Sequence, residues 1–227
     1  RDLGEYTGYS TTGVAQLAIS YILNFASSMA LQQLMIERGN YSNFTSHVSV
    51  PLFELQHKTL GIVGLGAIGR QVARIAHALN MKIVAYSPSR RPEPGIDIEF
   101  VELEEIFPRV DFLSLHCPLT PETTHLVNAE RLKRMKPTAY LINTSRGPLV
   151  NEVDLLKALK AGEIAGAGLD VQEVEPATPD NPLFHEEQVF LTPHIGWKTI
   201  ESRQRLVQLL AENISAYMSG TPKNTVS

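Results

Sequence analysis

Thr59-Leu-Gly-Ile-Val-Gly-Leu-Gly-Ala-Ile-Gly-Arg70 is the stretch on which the fold turns. Its apolar run, Leu60, Ile62 and Val63, reads as a buried parallel strand. Val72, Ile75, Ala76 and Leu79 then recur at helical spacing. Between strand and helix stands Gly64-Leu-Gly-Ala-Ile-Gly69. Gly64 permits a tight turn at positive φ, Gly66 lets a pyrophosphate approach the backbone, and Gly69 lets helix and strand pack closely. The helix start, at Ala67 and Ile68, aims unpaired N–H groups and partial positive charge at the phosphates. A glycine-rich turn alone says little, but the strand before it and the helix after it supply the context of a dinucleotide site.

Outward from this unit, strand and helix patterns alternate. Strands are expected at 59–63, 82–86, 111–115, 139–142, 165–170 and 188–191. Helical patterns separate most of them, at 67–79, 103–107, 129–135 and 152–161. Asn151 is placed to cap the last of these, and Gly162 to end it. Strict alternation implies an α/β fold, a doubly wound parallel sheet of Rossmann type with right-handed crossovers. Residues 11–34 read as one long apolar helix and 199–218 as a final helix, with a polar connector at 39–56. Residues 1–227 thus form essentially one dinucleotide-binding domain, flanked by two crossover helices.

The 227 residues carry a net charge of −4, which gives no electrostatic case for nucleic acid or an anionic membrane as partner. Apolar residues make up 43%, enough for a real core, and no run is long enough to span a bilayer. Cys117 is the only cysteine, which excludes an internal disulfide and fits a reducing, cytoplasmic compartment. No CxxC or HExxH occurs, and no metal site is expected.

In folds of this kind an acid about 20 residues beyond the glycines takes the ribose 2′-hydroxyl of NAD. Here the second strand ends at Ser87-Pro-Ser89-Arg90-Arg91, and Glu93 is the first carboxylate. Two hydroxyls and two guanidiniums suit a 2′-phosphate, so NADP is favoured, with NAD as the alternative. Three charged groups follow later strand ends: Arg146, Glu175 and His194. Neighbouring strand ends converge on one edge of such a sheet, so all three could share a cleft.

Five stretches, Gly61–Gly69, His116–Asn128, Leu141–Glu152, Gly168–Pro176 and Thr192–Trp197, together resemble the D-isomer-specific 2-hydroxyacid dehydrogenases, in that family's order and spacing across residues 8–226. The resemblance implies that Arg146 binds the substrate carboxylate and polarises its carbonyl. It implies that His194 is the acid/base and that Glu175 orients the imidazole and favours its charged form; Glu173 is a rival by spacing. Asp170 would receive the nicotinamide carboxamide. His116, Cys117, Pro118, Thr123, Thr144, Ser145 and Gly196 would line the cofactor together with His194. Hydride arriving at a keto carbon leaves negative charge on oxygen, which calls for a proton donor and a cation in reach. The other histidines (His47, His57, His77, His125, His185) read as structural or exposed.

Within the family the sequence is most similar to glycerate dehydrogenases and hydroxypyruvate reductases. The implied substrates are small 2-keto or D-2-hydroxy acids, hydroxypyruvate and glyoxylate foremost, with a homodimer formed through the cofactor domain. The family's NAD(H)-sensing transcriptional corepressors keep the same three residues and are the alternative, as is a cofactor-binding module without activity. The chain opens Arg1-Asp-Leu-Gly-Glu5, and the resemblance begins at the family's crossover. A preceding segment of the substrate domain is therefore expected to be missing, which would leave low activity and an apolar patch exposed on helices 11–34 and 199–218.

Overall fold

The computed structural model describes residues 8–45 and 47–225. In chain order the elements are α1 (Thr11–Ser27), α2 (Met29–Glu37), the single turn α3 (Ser42–Thr45), β1 (Thr59–Val63), α4 (Ala67–Ala78), β2 (Lys82–Tyr86), β3 (Ile98–Phe100) and α5 (Leu103–Ile106). They continue with β4 (Phe112–Leu115), α6 (Ala129–Arg134), β5 (Tyr140–Asn143), α7 (Glu152–Ala161), β6 (Gly166–Leu169), β7 (Val189–Leu191) and α8 (Ile200–Met218). The strands form one sheet in the order β3-β2-β1-β4-β5-β6-β7, and every pairing is parallel. This is the doubly wound α/β architecture. The chain winds outward from β1 in one direction, then returns to add β4 on the other side, so the crevice between β1 and β4 is the switch point where such sheets bind ligands.

Both faces of the sheet are covered, which is why its central strands are buried and apolar along most of their length. Leu60, Ile62, Phe112, Tyr140 and Ile142 pack under α1 and α4. Val63, Leu113, Leu115, Leu141 and Leu169 pack with Leu132 of α6 and Leu155 of α7. The Asn151 side chain accepts from the N–H of Asp154 and caps α7, while Gly162 ends it at φ 68°. Opening α6, Asn128 does the same for Arg131.

Three expectations are corrected. The helix read across 11–34 breaks at Ser28, whose φ is 47°, and α1 and α2 meet at 64°. A buried αL residue with neither glycine nor proline beside it gives no sequence signal. Its hydroxyl donates to the carbonyl of Pro51, at 2.5 Å, and so ties the break to the connector. Secondly, α1 is core rather than exposed patch: Val14, Ala15, Ala18, Tyr21, Ile22 and Phe25 are buried, with the Phe25 ring stacked on Tyr140 at 4.4 Å. Leu23 of α1 and Met29 of α2 are exposed, and a longer exposed apolar set lies on α8, among it Val207, Leu210, Ile214 and Tyr217. Finally, the sheet gains a seventh strand, β3, which is three residues long and sits at the edge. Arg1–Glu5, with which the chain opens, lies outside the described residues.

Candidate active site

The glycine turn closes β1 onto the end of β4. Gly64 has φ 94°, and a Cβ there would lie 2.6 Å from the Cys117 nitrogen. A Cβ on Gly69 would lie 2.3 Å from the Gly64 carbonyl oxygen, so helix α4 sits directly against the turn. Around Gly66, which opens α4, a Cβ would meet nothing within 4 Å. The outer turn is thus open space beside unpaired helix N–H groups, the form a pyrophosphate requires.

Beyond this turn the strand ends bring together other residues expected to line the cofactor. The pairing Leu115↔Asn143 carries on to set His116 beside Thr144. The His116 Nε2 meets the Ser114 hydroxyl at 2.8 Å, while its Nδ1 and the Thr144 hydroxyl are buried without a protein partner. Two adjacent orphaned polar atoms at the switch-point edge fit a polar ligand there. Burial pushes the His116 pKa down to about 4, so the ring is neutral. The same enclosure pushes the Cys117 thiol up to about 11, which keeps it protonated and unreactive. Ser145 and Thr123 serve the loops: Ser145 donates to the carbonyl of Leu115 at 2.9 Å, and Thr123 to that of Pro118 at 2.8 Å.

The loop after β7 is suspended from Asp170, which is 1% exposed. One carboxylate oxygen accepts from the N–H of Ile195 and from the Thr192 hydroxyl, the other from the N–H of Gly196. Since Thr192 spends its proton on Asp170, the Tyr21 hydroxyl of α1 must donate to Thr192, at 2.7 Å. This arrangement holds His194 at φ 51°, its N–H on the Asp170 carbonyl. The His194 Nδ1 then meets a Glu175 oxygen at 2.8 Å, with the two side chains 36% and 35% exposed. The other Glu175 oxygen accepts from the N–H of Gln172. A cleft of about 400 Å³ opens beside the pair, lined by Gln172, Pro176, Phe184, Leu191 and Pro193.

Glu173, the rival by spacing, is engaged elsewhere. It meets the His125 Nε2 at 2.7 Å and the N–H of Glu152 at 3.2 Å. So each of the two nearby glutamates has its own imidazole, and His125, read as structural or exposed, braces the loop that carries Glu175. Forty-eight residues separate this pair, and no shared spacing announces it.

Arg146 follows β5, the strand beside β6. Gly147 abuts the backbone of Gln172 so closely that a Cβ would fall 1.7 Å from its carbonyl oxygen, which seats Arg146 next to the Glu175 loop. The Asn143 amide donates to the Arg146 carbonyl at 2.8 Å and fixes the turn. The guanidinium is exposed and donates to the carbonyl of Ser145.

At the far end of the crevice, after β2, the two arginines differ. Arg90 pairs with Glu102, whereas among the described residues the Arg91 side chain has no partner and is exposed. The Ser87 and Ser89 hydroxyls lie 3.4 Å apart.

The architecture and motifs have known counterparts. Residues 19–196 match the NAD-binding domain of the D-isomer specific 2-hydroxyacid dehydrogenases. A hydroxypyruvate reductase from Blautia hydrogenotrophica is 38% identical over 222 residues, covering 96% of this chain and 69% of the relative. A glyoxylate reductase from Korarchaeum cryptofilum is 41% identical over 223 residues, covering 97% of this chain and 67% of the relative. Among solved structures, an acyclic imino acid reductase in complex with NADPH and D-Arg superposes with a TM-score of 0.84 at 33% identity, covering 96% of this chain and 69% of that one.

Proposed function

The chain belongs to the D-isomer-specific 2-hydroxyacid dehydrogenase family, oxidoreductases that pass a hydride between a nicotinamide cofactor and a 2-keto or 2-hydroxy acid, and on that premise we propose that it serves the reduction of hydroxypyruvate or glyoxylate with NADPH. The observation that carries the proposal is the His194–Glu175 pair, held at the sheet edge that also bears the glycine turn. A nicotinamide bound there supplies or accepts the hydride. His194 gives its Nε2 proton to the alkoxide that forms and retrieves it in the reverse direction. Glu175, on Nδ1, fixes the tautomer and the orientation of the ring. Arg146 supplies a planar two-point grip on the substrate carboxylate and polarises the carbonyl. Asp170 receives the carboxamide of the nicotinamide while it suspends the histidine loop. Gly64, Gly66, Ala67, Ile68 and Gly69 hold the pyrophosphate.

The choice of NADP over NAD rests on Ser87, Ser89, Arg90 and Arg91 and on the lack of a carboxylate at the end of β2. The working form is a cytoplasmic homodimer joined through this domain. The exposed apolar face of α8 supports the dimer, and the single cysteine fits the compartment. The test is single-turnover oxidation of NADPH by excess protein with hydroxypyruvate and with glyoxylate. Loss of turnover in His194→Asn with NADPH binding intact supports the enzyme. Turnover that survives this change would overturn it.

A further inference from the structure

Glu93 is a carboxylate only 6% exposed, although its neighbours at 88–92 and 94–95 are open to solvent. Both of its oxygens are taken by α4: one by the Arg70 Nη1 at 2.8 Å, the other by the Arg74 Nε at 2.8 Å. The two arginines stand one helical turn apart on the face turned toward the loop. Arg70 does more than pair. Its guanidinium also donates to the carbonyl of Pro92 and to that of Arg91, each at 3.0 Å. One planar fork therefore reads three consecutive residues, 91, 92 and 93. These contacts hold Glu93 ionised and its pKa below the usual carboxylate range, with the Arg70 hydrogen bond as the largest cause.

The location gives this clamp its meaning. Arg70 lies in the first turn of α4, its N–H bonded to the carbonyl of Gly66, the residue at the mouth of the pyrophosphate turn. The loop it grips starts at Ser87, at the end of β2, where the adenosine ribose of a dinucleotide lies in this architecture. Two cations on one anion leave positive charge in excess beneath that loop. Of the two arginines above it, Arg90 is neutralised by Glu102, and Arg91 is left with its carbonyl pinned and its side chain free.

We propose that Arg70, acting through Glu93 and the Arg91 and Pro92 carbonyls, is the positioning residue that sets the loop after β2 and hence the choice between a 2′-phosphate and a 2′-hydroxyl on the adenosine ribose, with Arg91 as the side chain that meets the phosphate. The preference for the phosphate rests on the NADP reading above; the clamp itself does not. Lysine at position 70 keeps the charge but cannot span three acceptors, so it separates positioning from simple attraction.

The experiment measures calorimetric affinities of the 227-residue chain for 2′,5′-ADP and for 5′-ADP, in the wild type and in the Arg70→Lys, Arg70→Met, Glu93→Gln and Arg91→Ala variants, each checked for folding by circular dichroism. The expected result is a wild-type preference for 2′,5′-ADP that falls about tenfold in Arg70→Lys, Arg70→Met and Glu93→Gln, as for the loss of a charge-assisted contact. Affinity for 5′-ADP should change little. Arg91→Ala should lose the preference as well. A wild type that prefers 5′-ADP refutes the NADP reading alone, and the clamp is then judged by whether the same variants shift the ratio. An unshifted ratio in Arg70→Lys and Glu93→Gln overturns the clamp. If Arg70→Met fails to fold, those two conservative variants still decide.

Discussion

At the scale of single residues, His194 and Glu175 do different work, and their substitutions should differ in kind. Replacing His194 with asparagine removes the proposed proton donor and should slow single-turnover hydride transfer by about a hundredfold to ten-thousandfold, while NADPH binding measured by fluorescence stays within about twofold. The first two glycines of the turn also separate. Gly66→Val puts a side chain into open space, so thermal unfolding should hardly move while NADPH binding is lost. Gly64→Ala meets the Cys117 nitrogen and keeps φ 94°, so it should destabilise the fold itself, by about 2 kcal/mol or more in denaturant unfolding. His116 adds a pH dependence. Its folded pKa lies at about 4, against an ordinary value of 6.5, so the unfolded chain binds more protons between these values. Stability should therefore be complete above pH 6.5, fall as the pH drops toward 4, and lose at most about 3 kcal/mol from this group. Urea unfolding at several pH values, compared with His116→Gln, checks this: the variant should show a shallower fall over that window.

At the scale of elements, strands were legible where apolar runs were long enough to be bounded by turn residues. β1, β2, β4, β5, β6 and β7 all stand within a residue or so of the periods that announce them. β3 was not legible, because Ile98-Glu99-Phe100 is too short to show alternation and sits at an edge where one face is solvated. The break at Ser28 was hidden for a different reason: local sequence favours a continuous helix, and a tertiary hydrogen bond to Pro51 sets the kink. For the site, the order of motifs pointed to Arg146, Glu175 and His194, since each follows a strand. The pairs that brace the surrounding loops join distant segments, as with His125 on Glu173 and Arg70 on Glu93, and only the folded chain shows them. Gly147 tests the element scale directly. Gly147→Ala would drive a Cβ into the Gln172 carbonyl and push the β5 and β6 loops apart. It should cost several kcal/mol in urea unfolding, more than Gly66→Val by a wide margin.

For the whole molecule, the exposed face of α8 stands out against a well-covered sheet. Val207, Leu210, Ile214 and Tyr217 recur at spacings of three and four and form one apolar stripe, all of it exposed. A stripe of this kind on an isolated chain favours self-association. Light scattering should report a dimer for the wild type, and Leu210→Glu with Ile214→Glu should return a monomer of unchanged thermal stability; a monomeric wild type would count against pairing. The last consequence comes from the Tyr21–Thr192 hydrogen bond, which joins residues 171 positions apart. The loop that presents His194 hangs both from α1 and from the ends of β6 and β7, elements far apart in the sequence. During synthesis, then, α1 and the glycine turn emerge well before the segment that α1 helps to hold. The loop that carries His194 reaches its folded geometry only once β7 has emerged and Thr192 has met Tyr21.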